Sequence, residues 1–128
     1  MAVILENPEF IGFDNFDLEK QEKLVIDDGG LIKILNIEDL GKYNIDEKID
    51  CSDSYISPGW IDLHTHIYYG ISNLGIEADR IGPVTGVNIL VDAGSAGFIN
   101  FPGFKKYIIE EKNYPVYEFL NLGSTGLI

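Results

Sequence analysis

The sequence is short of basic residues and of cysteine, and each shortage argues against a class of protein. Lys and Arg number 9 against 21 Asp and Glu in 128 residues, which gives a formal net charge of −12. Binding to nucleic acid or to an anionic membrane surface depends on clustered cations, so we expect neither partner. The single cysteine, Cys51, cannot form an internal disulfide and is typical of a protein from a reducing cytosol.

Long hydrophobic runs are missing as well. No segment reaches the about 18 apolar residues that a membrane span requires. The first apolar run ends at Glu6 and has no basic residue before it, unlike a secretory signal. We therefore expect a soluble, cytoplasmic protein.

Residues 1–56 carry most of the negative charge and contain short β-rich runs. Lys23–Asp27 and Leu31–Leu35 are separated by Asp28-Gly29-Gly30, residues that tolerate the positive φ of a tight hairpin turn. We interpret residues 1–56 as part of a small β-sandwich domain. Its further strand candidates lie at 2–5, 10–13 and 48–56, with a polar connection at 14–22.

From residue 57 onward, strands, loops and helices alternate, which favours βα units and a parallel sheet. The second and third predicted strands contain mostly apolar runs, as expected for strands covered on both faces. Phe104, Tyr107 and Ile108 have the spacing of one buried helix face. The predicted strands are 60–66, 87–92 and 116–122; residues 76–85 are predicted to form a short helix or turn, and residues 101–112 a helix.

The two histidines of the sequence, His64 and His66, lie at the end of the first of these strands. Because side chains alternate across a strand, both imidazoles share a face with Asp62. Neutral imidazoles two residues apart can converge on one divalent metal ion, and Asp62 would orient one of them through its free N–H. An isolated His-x-His pair is weak evidence, so an ordinary structural role stays open at this point.

The stretch Ser57–His66 resembles the first barrel strand of the amidohydrolase superfamily, where Pro-Gly, an aromatic, an aliphatic residue, Asp and His-x-His recur together. The segments 79–82, 91–97 and 119–121 resemble the dihydroorotase-related amidohydrolase/deacetylase branch. The resemblance covers most of residues 47–128 and, more loosely, residues 1–46.

This resemblance implies an α/β fold in which residues 57–128 form the first two to three strands of a (β/α)8 barrel after the β-sandwich portion. It also implies one or two divalent metal ions, usually zinc, and hydrolysis of an amide or ester bond of a small metabolite by activated water. His64 and His66 correspond to the first-strand ligands, with Asp62 behind them. Because a barrel takes about 250 residues, the remaining ligands and the general base are expected downstream. We therefore expect the isolated chain to be inactive and to hold metal weakly or not at all.

Three further features carry expectations of their own. Asp92, at the end of the second strand, either fixes the loop that follows or lies near the substrate, and loop fixing is favoured. The loop 93–97 lacks the spacing of a phosphate-binding motif and is interpreted as an ordinary βα loop. Asp79 and Arg80 are expected to pair with each other.

A competing hypothesis is a non-catalytic interaction or structural piece. An uncovered edge on the third parallel strand favours pairing with another chain. On either reading we expect self-association or a homo-oligomer.

Overall fold

The structure is a computed structural model that describes residues 1–12, 23–27, 30, 32–35 and 37–127. The chain divides into two units, Met1–Pro58 and Gly59–Ile128. The predicted connection at 14–22 and the end of the predicted strand 10–13 lie outside the described residues.

The first unit contains a mixed four-stranded sheet and a separate pair of short parallel strands. The order in the larger sheet is β4 (Ile32–Leu35), β3 (Lys23–Ile26), β1 (Ala2–Glu6) and β5 (Ile45–Asp50), and β1 pairs antiparallel with β3 and parallel with β5. Ala2, Ile4 and Val25 form its buried centre, with Leu40, Tyr43 and Ile45 packed against them. The strands are β1 (Ala2–Glu6), β2 (Glu9–Phe10), β3 (Lys23–Ile26), β4 (Ile32–Leu35), β5 (Ile45–Asp50) and β6 (Tyr55–Ile56), with a 3₁₀ helix at Ile37–Lys42.

The predicted hairpin is confirmed, because β3 and β4 pair antiparallel with Leu24 opposite Ile34. The prediction of one strand over 48–56 is wrong, since β5 ends at Asp50 and β6 begins at Tyr55. The Asp50 carboxylate accepts the backbone N–H of Ser52 at 3.1 Å. This Asx-type turn bends the chain and so interrupts the strand.

The second unit contains three parallel strands in the order β7-β8-β9. One face of this sheet packs against the short helix α1, where Leu90 and Phe104 are both fully buried. The elements are β7 (Trp60–Thr65), 3₁₀ turns at Ala78–Arg80 and Pro83–Thr85, β8 (Val87–Asp92), α1 (Phe101–Phe104) with a π-helical turn at Lys105–Ile109, and β9 (Val116–Glu118).

The helical predictions for this unit were too regular. Regular α-helix ends at Phe104, and the π-helical turn that continues it leaves Tyr107 64% exposed, so the predicted buried face is wrong at that residue. The wider π winding moves side chains off the face that α-helical spacing assigns to them. The segment 76–85, predicted as a short helix or turn, contains two 3₁₀ turns, because Pro83 has no N–H with which to continue the first.

The third predicted strand is shorter than expected and is not covered on both faces. β9 ends at Glu118 rather than at residue 122, and Tyr117 within it is 58% exposed. Beyond it the chain continues irregularly beside β8, with the Phe119 N–H donated to the Asp92 carbonyl at 2.9 Å.

The described residues form an α/β arrangement of three parallel strands with helical connections, and no barrel closes within them. The carboxyl ends of the three strands lie at one edge of the sheet, which is the edge that carries the histidines. Among the described residues, no helix has the length and apolar character needed to cross a membrane.

Candidate metal centre

The carboxyl end of β7 brings the two imidazoles together. The ring centroids of His64 and His66 are 5.4 Å apart and the rings are perpendicular. His64 is exposed, whereas His66 is half-buried beside the loop that follows β8. Side chains so close can bind one ion together, and the two environments differ in how firmly they hold each ring.

Asp62 contacts the backbone of this strand rather than an imidazole. Its Oδ1 accepts the N–H of His64 at 3.0 Å. The pairing of β7 with β8 shifts register between Asp62 and Thr65, so strict alternation of faces does not hold across this segment. The hydrogen bond expected from an imidazole N–H to Asp62 is absent from the described structure.

Asp92 is fully buried at the end of β8 and joins two segments of the site. Its Oδ2 accepts the N–H of Ile67 at 2.7 Å, and its Oδ1 accepts the N–H of Ser95 at 2.6 Å. Hydrogen bonds to a charged acceptor are stronger than neutral ones. One carboxylate therefore ties the residue after His66 to the loop after β8.

Ser95 supplies the contact to His66 that the sequence assigned to Asp62. Its side chain is fully buried, and its Oγ lies 3.1 Å from Nδ1 of the His66 ring. That contact leaves Nε2 as the nitrogen available to a cation. Sequence reasoning missed Ser95, although its place just after a predicted parallel strand is where βα folds gather functional side chains.

Glu118, at the end of β9, is a half-buried acid at the same edge. Its Oε1 accepts the N–H of Ala96 at 2.9 Å, while its Oε2 is buried without a partner among the described residues. Burial raises the pKa of the Glu118 carboxyl to about 7, the Ala96 N–H opposes the shift, and the nearby Asp92 charge adds to it. The signal in the sequence was a lone acid inside a predicted apolar strand.

The loop 93–97 uses its own amides internally. The N–H groups of Ser95 and Ala96 are donated to the carboxylates of Asp92 and Glu118, and that of Gly97 to the Asn100 side-chain oxygen at 2.7 Å. These three donors are therefore not free to cradle an anion, in keeping with an ordinary βα loop.

The expected pair between Asp79 and Arg80 does not form. Asp79 instead binds Lys112 Nζ and the Tyr114 hydroxyl, each at 2.7 Å, and the Lys112 contact is the main reason that the Asp79 pKa is lowered. Arg80 points to Glu77, with Nε 4.0 Å from the carboxylate. Neighbours in sequence diverge here because the 3₁₀ turn directs successive side chains apart.

The donor set limits what the described residues can hold. No group of three or more His, Cys, Asp or Glu side chains within them is arranged to bind a metal ion. Two imidazoles at the end of one strand match two of the four ligands of a tetrahedral zinc site. The chemistry of this pair therefore fits part of a metal centre.

Comparison with known proteins gives several relatives, although no protein-family model matches the chain. A deacetylase of Agrobacterium fabrum is 40% identical over 127 residues, which are 98% of this chain and 31% of the relative. A deacetylase of Brucella anthropi is 50% identical over 82 residues, which are 64% of this chain and 20% of the relative. The chain thus spans between a fifth and a third of the length of these curated relatives.

Solved structures also match nearly the whole of this chain and about a third of their own length. The crystal structure of a dihydroorotase matches with a TM-score of 0.77 and 37% identity, over 98% of this chain and 32% of that one. The crystal structure of an adenine deaminase matches with a TM-score of 0.68 over 97% of this chain and 31% of that one; at 22% identity it supports the fold alone.

Proposed function

We propose a function from the premise that this chain belongs to the amidohydrolase superfamily, as a relative of its deacetylase and dihydroorotase members. The chain supplies the opening part of a metal-dependent hydrolase that cleaves an amide or ester bond of a small metabolite. The observation that carries this proposal is the pair of imidazoles, 5.4 Å apart, at the carboxyl edge of three parallel strands.

His64 and His66 are the proposed ligands of a divalent cation, with zinc as the expected ion. When bound, such a cation lowers the pKa of a coordinated water to about 7 and polarises the carbonyl to be attacked. The buried Asp92 and Ser95 keep the half-buried His66 at the strand end, where Nε2 is open to the ion. The further ligands and the general base come from outside the described residues.

With two imidazoles as its ligand set, the described part holds a cation weakly and hydrolyses nothing by itself. An ion bound by two imidazoles lacks the remaining protein ligands of a catalytic zinc site. Activity on this proposal therefore belongs to the whole hydrolase.

The proposal is tested in a chimera with the deacetylase of Agrobacterium fabrum, in which this chain replaces the matching third of the relative. We expect the chimera to retain zinc by elemental analysis and to cleave the acetylated substrates that the parent cleaves. The double variant His64→Asn with His66→Asn should lose most of the bound zinc and the hydrolysis together.

Asn73→Ala is the matched control, because Asn73 is exposed in the loop after the same strand. It should leave zinc content and hydrolysis unchanged. A folded double variant that keeps the zinc stoichiometry of the unmodified chimera would remove both histidines from the site.

A second candidate function, association with another chain, is favoured by exposed aromatic residues in and directly after the outer strand β9. Tyr117 and Phe119 are 58% and 63% exposed, and β9 is a terminal strand of the described sheet. Unpaired strand edges promote pairing between chains. Sedimentation equilibrium of the chain should then show self-association that Tyr117→Lys weakens, and a monomer at high concentration would contradict this function.

A further inference from the structure

Hydrogen bonds through Ser95 and Asp92 connect the ring of His66 to the backbone of the residue that follows it. Ser95 Oγ lies 3.1 Å from His66 Nδ1, and the N–H of Ser95 is donated to Asp92. The other oxygen of that carboxylate accepts the N–H of Ile67, the residue that follows the histidine. The serine that touches the ring and the backbone that carries the ring are thus fixed by the same buried group.

The other histidine has no such support. The ring of His64 is exposed and receives no hydrogen bond from the described residues, although it lies beside His66. The chain therefore contains, in one tripeptide, a held imidazole and a free one. Because both rings are in the same chain, a measurement on one ring can be compared directly with the same measurement on the other.

The direction of the Ser95 bond follows from the hydroxyl's surroundings. A neutral imidazole has one nitrogen that donates and one that accepts, and a serine hydroxyl can take either role. Nδ1 of His66 is the hydrogen-bond partner of the buried Ser95 Oγ within the described residues. A hydroxyl that accepted from this nitrogen would leave its own buried proton unpaired, whereas a hydroxyl that donates to Nδ1 pairs it.

We propose that Ser95 is a positioning residue that sets the tautomer of His66, and the part of this proposal that concerns the cation rests on the proposed function. In the cation-free chain the Ser95 hydroxyl donates to Nδ1, and the ring carries its proton on Nε2. When Nε2 binds a cation, that proton leaves to water, Nδ1 takes up a proton from water, and the hydroxyl turns to accept the new Nδ1–H. A metal-bound imidazole generally donates its other N–H to such a partner.

The test is long-range ¹H–¹⁵N NMR on the chain with ¹⁵N-labelled histidine, at a pH where both rings are neutral. Because the sequence has two histidines, we expect two ring patterns. In the cation-free chain, we expect His66 to show one dominant tautomer with an unprotonated, hydrogen-bonded Nδ1, and His64 to show a mixture. Ser95→Ala should shift the His66 nitrogen frequencies towards those of His64.

Ser72→Ala is the matched control, because Ser72 is also buried but its Oγ accepts the backbone N–H of Leu74 at 3.4 Å. It should leave both rings unchanged. Equal tautomer mixtures at both rings of the unmodified chain would overturn the proposal without any variant. So would a folded Ser95→Ala chain whose His66 pattern is unaltered.

Zinc added in excess tests the second half of the proposal. We expect the His66 Nδ1 signal to change from an unprotonated nitrogen to an N–H. Zinc that shifts the ring signals while His66 Nδ1 stays unprotonated contradicts the role of Ser95. Zinc in excess that leaves both rings untouched contradicts the weak binding proposed for this chain, and the cation-free tautomers then still decide the first half.

Discussion

The two units of the chain differ in the acids that they withdraw from water. In Met1–Pro58, acids such as Asp50 are exposed and make local contacts with polar neighbours. In the second unit, at the carboxyl edge of a parallel sheet, Asp92 is fully buried and Glu118 is half-buried with its Oε2 withdrawn from water, and both accept backbone N–H groups. The second unit therefore depends on these two acids more than the first unit depends on its exposed ones, because a carboxylate removed from water must be compensated by specific donors.

Of the substitutions that test this difference, Asp92→Asn is expected to lower stability most. The change removes the charge that strengthens two buried hydrogen bonds and presents an amide N–H to one of the two donors, so we expect a loss of about 3 to 4 kcal/mol in unfolding free energy. Urea unfolding followed by the fluorescence of Trp60, the single tryptophan, measures it in the second unit.

Asp50→Asn is the control for this substitution in the first unit. Asp50 is exposed, and its contacts are solvated. Its urea midpoint, followed by circular dichroism, should stay close to that of the unmodified chain. Equal midpoint losses in both variants would abolish the contrast between the units.

Gly97→Ala should give the next largest effect. A Cβ at Gly97 would lie 2.1 Å from the Gly123 carbonyl oxygen and 2.4 Å from the Gly126 nitrogen, and both are backbone atoms. Overpacking of this kind costs about 3 kcal/mol. Gly41→Ala in the first unit meets nothing within 4 Å and serves as control in thermal unfolding, where its midpoint should not fall.

Glu118→Gln tests the comparison between the units through the pH dependence of stability. Because the folded pKa of Glu118, about 7, lies above its ordinary value of 4.5, the folded chain binds more protons between these values. Its contribution to stability is complete below about pH 4.5 and is lost as pH rises to about 7. Because the side chain is only half-buried, solvent screening reduces this loss to on the order of 2 kcal/mol. Glutamine at this position should remove that loss.

Urea midpoints measured between pH 5 and pH 8 test this prediction. The exposed Glu77 provides the control Glu77→Gln in the same unit, and it should retain the pH dependence of the unmodified chain. An unmodified chain whose stability rises with pH through this interval would contradict the assignment to Glu118.

The smallest effect is expected from Asp79→Asn. Its carboxylate binds Lys112 and Tyr114, but the Asp79 side chain is 64% exposed. Solvent and salt screen such pairs, so we expect no resolvable change in the urea midpoint. A shift as large as that of Asp92→Asn would show that solvent exposure does not determine how much Asp79 and Asp92 each contribute to stability.

Local sequence was sufficient for features set by neighbouring residues. The hairpin of β3 and β4 follows from two β-rich runs on either side of a turn sequence. The location of His64 and His66 at the end of a strand follows from the loop residues that come after them. Ser95 could not be predicted as the partner of His66, because 29 positions separate them and only the register of β7 on β8 brings them together. Asp62 was assigned to an imidazole because alternation was assumed across a register shift.

The way Asp92 fastens two distant segments has a practical consequence for protein engineering. The N–H groups of Ile67 and Ser95 share one acceptor group, so their hydrogen exchange with solvent should accelerate together when that carboxylate is lost. Anyone who transplants the His-x-His tip onto another scaffold must carry the loop after β8 with it. A graft of the tripeptide alone would contain the imidazoles but would lack Asp92 and Ser95, which hold the His66 ring in place.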